Sequence, residues 1–135
     1  MKKNFSKARL APVVLVVICL LALLTIMITA CTTGSTDTGP NPVYMGDSNF
    51  YQSSITIKKG QSLTLVSDSP SVHIIENGTW DSNGTPKPNR ENGAPLVDSE
   101  IDGGNSQTFG PFNTAGTFQL YCTVHTGMNL TVIVK

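Results

Sequence analysis

The sequence predicts an all-β domain, an antiparallel β-sandwich, on three observations. Apolar and polar residues alternate through Ser54–Lys58, Ser62–Val66, Thr117–Cys122 and Asn129–Val134, the period of two expected of half-buried strands. No helical periodicity occurs after residue 30. The stretches between the alternating runs are rich in Gly, Pro, Asn and Asp, which punctuate strands with turns. A chain that offers only short strands must bury their apolar faces against one another, and two packed sheets are the expected solution.

Taken in order, the chain begins with a segment that does not belong to that sandwich. Residues 1–9 carry Lys2, Lys3, Lys7 and Arg9 and no acidic residue, and residues 10–30 are almost wholly apolar. A basic stretch followed by an apolar one is the pattern of an export signal. Its length is also sufficient for an uncleaved membrane anchor, since about 20 apolar residues span a bilayer. The run ends in Ile28-Thr29-Ala30-Cys31, which resembles a bacterial lipobox and implies that Cys31 carries the lipid and becomes the first mature residue. Both readings of residues 1–30, lipoprotein signal or retained anchor, place the remainder outside the cytoplasmic membrane and tied to its surface. Residues 31–42, Thr, Gly, Ser, Asp and Pro for the most part, cannot bury a core and read as a flexible linker. A dozen such residues reach about 20 Å, so the domain stays near the membrane while free to turn.

The folded domain is expected over residues 43–135. Ser54–Lys58 and Ser62–Val66, with Lys59-Gly60-Gln61 as the turn, read as a hairpin. Val72–Glu76 is a short strand with His73 near its start. Residues 77–105 are dominated by Asn, Gly, Pro and Asp, with Trp80, Leu96 and Val97 as apolar landmarks. This stretch reads as an irregular excursion with at most one turn of helix, unusually long for a compact domain. Gln107–Phe112 is a further strand. In Thr117–Cys122 the thiol shares a phase with Phe118 and Leu120, so Cys122 faces the core. In the last strand Leu130, Val132 and Val134 share a face, and Met128 is in phase with them.

Charge narrows the possible partners. Four of the nine basic residues lie in the leader, and from Cys31 onward five basic residues stand against nine acidic ones. A mildly acidic domain without a Lys/Arg cluster is not a nucleic-acid binder. No paired carboxylates, nucleophile with a base, or phosphate-cradling glycine loop is present. The triplets at Asn77, Asn83 and Asn129 match a glycosylation acceptor pattern, which carries no weight if the lipobox marks a bacterial chain.

The cysteines point to a metal. Cys19 lies in the apolar leader and Cys31 is the lipid site, which leaves Cys122 as the domain's one thiol. A solitary thiol in an oxidising compartment is exposed to oxidation unless buried or metal-bound. It stands in Tyr121-Cys122-Thr123-Val124-His125-Thr126-Gly127-Met128, a C-x-x-H-x-x-M run of thiolate, imidazole and thioether. Soft sulfur with imidazole suits copper, and Cys plus two His with a weak axial Met is the donor set of a blue-copper site. The chain's other histidine is His73. One copper ion held by His73, Cys122, His125 and Met128 is the expectation, with Met45 or a backbone carbonyl as alternatives to Met128 in the axial place. Zinc would take two His and a Cys, but a structural zinc site adds a fourth Cys or His, and none remains. A binuclear copper centre needs two cysteines.

With strand, loop and strand delivering C-x-x-H-x-x-M and a lone upstream His, residues 43–135 resemble the cupredoxins, the family of plastocyanin, azurin, pseudoazurin and amicyanin. The short loop is most similar to that of amicyanin. The resemblance implies a Greek-key sandwich with equatorial His73, Cys122 and His125 and axial Met128. It also implies that His125, flanked by Val124, Thr126 and Gly127, reaches the surface where electrons pass. Several members place an Asn after the first ligand His to link the two ligand loops; here that residue is Ile74, and Ser71 is the candidate replacement. The function implied is a one-electron carrier with redox partner proteins such as a cytochrome, oxidase or reductase. No substrate of its own and no enzymatic activity are expected. A module that captures copper and passes it on is the alternative, and a copper nitrite reductase would need a second such domain.

Overall fold

The computed structural model describes residues 38–135. The leader, Cys19 and Cys31 lie outside the described residues, as does most of the 31–42 linker. The described chain is all β, with nine strands: β1 (Pro42–Met45), β2 (Ser54–Ile57), β3 (Leu63–Ser67), β4 (His73–Trp80), β5 (Pro86–Pro88), β6 (Asp98–Ile101), β7 (Ser106–Phe109), β8 (Gly116–Cys122) and β9 (Asn129–Val134).

Two sheets form. The smaller is β1-β3-β7; the larger runs β2-β9-β8-β4-β5, with β6 also on β4. The alternation read from β8 and β9 fills the space between them. Phe118, Leu120 and Cys122 from β8 and Leu130, Val132 and Val134 from β9 are buried, and join Val43, Met45, Leu63, Leu65 and Phe109 of the smaller sheet in one apolar cluster. At roughly 25 cal/mol per Å² of apolar surface removed from water, this cluster is the main stabilising term.

Strand neighbours depart from the sequence-based expectation in three places. Not every pairing is antiparallel: β1 lies parallel to β3, and β2 parallel to β9. The expected hairpin over 54–66 is not one. Its turn forms, with the Gln61 N–H donating to the Lys58 carbonyl, but it carries the chain between sheets, so that β2 pairs with β9 while β3 pairs with β1 and β7. The reason is visible at the turn: Gly60 and Phe112 N–H groups bond across to Phe112 and Gln61 carbonyls, and Lys59 N–H bonds to Lys135.

The third departure is the 77–105 excursion, expected to be irregular, which contains the end of β4 and the strands β5 and β6. The strand begun at His73 runs on to Trp80, and β5 and β6 both pair antiparallel with it. Ile75 has Ser99 of β6 on one side and Cys122 of β8 on the other, which places β4 inside the sheet. Buried Asn77 pins the return of the chain: its Oδ1 accepts from the Val97 N–H at 2.8 Å and its Nδ2 donates to the Pro95 carbonyl at 3.2 Å. Val97 is thereby buried, while Leu96 points out, 68% exposed.

Candidate metal centre

Three donors converge where β4, β8 and the β8–β9 loop meet. His73 is the first residue of β4 and Cys122 the last of β8, and both are fully buried. His125 sits mid-loop. Cys122 Sγ is 3.8 Å from His73 Nδ1 and 3.3 Å from His125 Nδ1, and the three ligand atoms lie within 4.8 Å of one another. The two imidazole rings are tilted by 60° with centroids 5.0 Å apart. These spacings suit one small ion. With metal–sulfur and metal–nitrogen bonds of roughly 2.3 and 2.0 Å, donors 110–120° apart at the ion stand about 3.3–3.7 Å from each other.

His73 lies in the same sheet as the thiol, because β4 and β8 are hydrogen-bonded neighbours in the register Ile75↔Cys122. His73 stands two positions before Ile75 of that pair, so both donors emerge at one end of adjacent strands. Backbone hydrogen bonds then shape the loop that brings His125 back: Met128 N–H to the His125 carbonyl at 3.2 Å, and Cys122 N–H to the Met128 carbonyl at 3.0 Å. Gly127 between them takes a φ of 80°, which glycine adopts without the steric cost other residues bear. Met128 is buried, 2% exposed, with its backbone against both Cys122 and His125.

Ser71 does not link the two ligand-bearing segments. Its hydroxyl bonds Asp47 Oδ1 at 3.1 Å and its carbonyl accepts from Ser67. The link is main-chain: the Thr123 N–H, one residue past the thiol, donates to the carbonyl of Ile74, one residue past His73, at 2.8 Å. A backbone bond makes the identity of residue 74 unimportant for the link, which is why Ile is accommodated there.

Burial, followed by the neighbouring His125 charge, lowers the pKa of His73, against smaller opposing effects of the Gly46 backbone and Asp47. The ring is therefore neutral at physiological pH, the form in which imidazole binds a metal. Its Nε2 is buried without a hydrogen-bond partner among the described residues. Cys122 is the free thiol of the described chain.

Trp80, an apolar landmark in the sequence, bonds to the main chain of the cysteine. The Trp80 indole N–H donates to the Cys122 carbonyl at 2.8 Å, and the ring meets Tyr121 edge-on, centroids 6.0 Å apart. Forty-two positions separate the two bonded residues, so no local pattern could have announced the contact.

The turn after Trp80 is held by a carboxylate. Asp81 Oδ1 accepts from the Asn83 and Thr85 N–H groups at 2.9 and 2.8 Å, and Lys87 lies 3.6 Å from Oδ2. The Thr85 N–H foremost, with Asn83 and Lys87, lowers the Asp81 pKa. A carboxyl depressed on folding stabilises the fold above its unfolded pKa, near 3.9, and that contribution disappears as pH falls through the folded value. Asp81→Asn is expected to narrow its stability gap from the parent below about pH 4, as measured by urea unfolding across a pH series.

No protein-family model matches the sequence, and neither does any curated protein. Solved structures do match in shape. A purple cupredoxin from Nitrosopumilus maritimus is 18% identical with a TM-score of 0.54, over 71% of this chain and all of that one. An amicyanin from Paracoccus versutus is 18% identical with a TM-score of 0.53, over 70% of this chain and 80% of that one. A reduced Cu(I) form of an amicyanin variant is 18% identical with a TM-score of 0.55, over 72% and 83% of the two chains. The described domain has the cupredoxin fold.

Proposed function

We propose that this protein carries single electrons through one copper ion bound by His73, Cys122 and His125, with Met128 as the weak axial ligand. The observation that carries the reading is the buried convergence of one thiol and two imidazoles within 4.8 Å, on a fold shared with amicyanin. When bound, copper supplies a one-electron couple between its cupric and cuprous states. The chain's own contribution is to hold the donors still. Cys122 and His73 are set by paired strands, and His125 and Met128 by a loop closed with two backbone hydrogen bonds. Donors fixed by the fold shift little when the charge of the site changes, which favours fast electron exchange. Four protein donors also leave no open position for a substrate.

His125 is the partly exposed member of the donor set. Val124 and Val72, each next to a donor in sequence, are 52% and 43% exposed. This apolar rim suits brief contact with redox partner proteins, a cytochrome, oxidase or reductase. The leader and the lipobox at Cys31 support a place outside the cytoplasmic membrane with a lipid anchor, and fatty-acid labelling of cells is expected to be lost in Cys31→Ala.

The competing role, capture and delivery of copper, makes opposite demands. The carrier reading expects reversible one-electron cycling of the copper-loaded protein in voltammetry, with the ion retained against a cuprous chelator through many cycles. Ready loss of cuprous ion to the chelator, without fast cycling, would favour delivery. Met128 has its own test, because Leu matches its volume but donates nothing. A donor favours the more oxidised state, so Met128→Leu is expected to keep the colour and raise the midpoint potential.

A further inference from the structure

We propose that Trp80 is a positioning residue for the Cys122 ligand, and that its indole N–H raises the reduction potential of the centre. The proposal rests on the copper reading above. Indole nitrogen is a donor only, and here it donates to the carbonyl of the very residue whose thiol faces the two imidazoles.

Trp80 is itself unusually well held. Asn129 grips its backbone from both sides, Oδ1 accepting from the Trp80 N–H at 2.7 Å and Nδ2 donating to the Trp80 carbonyl at 3.0 Å. Trp80 ends the strand that His73 begins, and Asn129 directly follows Met128. The next turn packs on the ligand loop, with Gly84 placed so that a Cβ there would stand 3.3 Å from the Thr126 methyl. One aromatic residue thus ties β4, the end of β8 and the start of β9 together around the donors.

The electronic consequence follows from the direction of the bond. The positive end of the N–H dipole points at the Cys122 carbonyl, three bonds from the thiolate carbon, in surroundings where Cys122 is completely buried. Such a dipole in a low-dielectric interior opposes accumulation of positive charge on the ligand side and favours the reduced state. Hydrogen bonding around the cysteine sulfur is an established lever on the potential of this class of site; here the bond reaches the same residue through its carbonyl, and partners of ligands orient them as well.

The chain contains a single tryptophan, so feeding a fluorinated analogue changes this one position. The test uses the full copper-loaded chain in three forms: the parent, Trp80→Phe, and protein carrying 5-fluorotryptophan, whose N–H is the stronger donor. Trp80→Phe is expected to lower the midpoint potential, shift the visible band and weaken cupric binding about 10-fold; the fluorinated protein is expected to raise the potential. Opposite shifts are something a purely packing role cannot produce. Potentials and bands unmoved in both, or moved in the same direction, would overturn the proposal. Should Trp80→Phe fail to fold, the fluorinated protein still decides. So does the metal-free parent in nuclear magnetic resonance, where the indole proton should resist exchange; free exchange would also overturn it. Failure of the copper reading is distinct, for then the parent itself would bind no copper and show no colour.

Discussion

Cys122→Ser is expected to abolish the visible thiolate-to-copper absorption completely and to weaken cupric binding by well over 100-fold. Loss of a mere outer-shell partner already costs 10–100-fold, and here the strongest donor is replaced by a hydroxyl that stays protonated at neutral pH. The exchange is nearly isosteric in a fully buried place, and the backbone bonds of residue 122 to Met128 and Trp80 do not involve the sulfur. The fold should therefore survive, with unchanged circular dichroism in the far ultraviolet. The measurement is a cupric titration followed by absorption in parent and variant. Colour retained in the variant would place the thiolate outside the site.

Gly78→Val is expected to cost on the order of 4 kcal/mol of stability, combining overpacking and backbone strain. Gly78 lies in β4 with φ of 137°, a conformation closed to β-branched residues. A Cβ there would also stand 2.5 Å from the Lys87 carbonyl oxygen, 2.9 Å from Pro88 Cα and 2.9 Å from the Tyr121 ring. Two of these neighbours are backbone of β5, so the strand itself would have to retreat from β4. Gly60 provides the contrast. Its φ is 87°, but nothing lies within 4 Å of its missing Cβ, and Gly60→Ala should cost only the conformational part, about 1–2 kcal/mol. Denaturant unfolding of the metal-free proteins reads both. Equal losses at the two sites would show that the close approach of β5 to Gly78 contributes nothing.

The difference between these glycines shows which parts of the molecule were legible beforehand. Where one face of a strand is buried, alternation records it, and β8 and β9 were readable for that reason: Phe118, Leu120 and Cys122 point one way and Leu130, Val132 and Val134 complete the same core. The C-x-x-H-x-x-M run was readable because a short loop needs its donors at fixed spacing. His73 followed by elimination, as the remaining imidazole. What alternation does not carry is the identity of the neighbouring strand. The runs either side of Lys59-Gly60-Gln61 looked like a hairpin, yet Ile57 and Leu63 face the same core from different sheets.

The 77–105 region was misread for a related reason. Pro86, Lys87 and Pro88 of β5 are all exposed, and a strand that buries nothing has no apolar signature. Its place is set by main-chain pairing to β4 and by the two hydrogen bonds of Asn77. The same excursion supplies Trp80 to the Cys122 carbonyl, so the segment with the least regular composition still bonds to a residue of the centre.

The most direct test of the copper centre is X-ray absorption at the copper edge on the full chain loaded with one equivalent of cupric ion. One short sulfur neighbour and two imidazole nitrogens around a single ion per chain is the result expected from His73, Cys122 and His125. A copper shell of nitrogen and oxygen alone, with no sulfur at bonding distance, would contradict it.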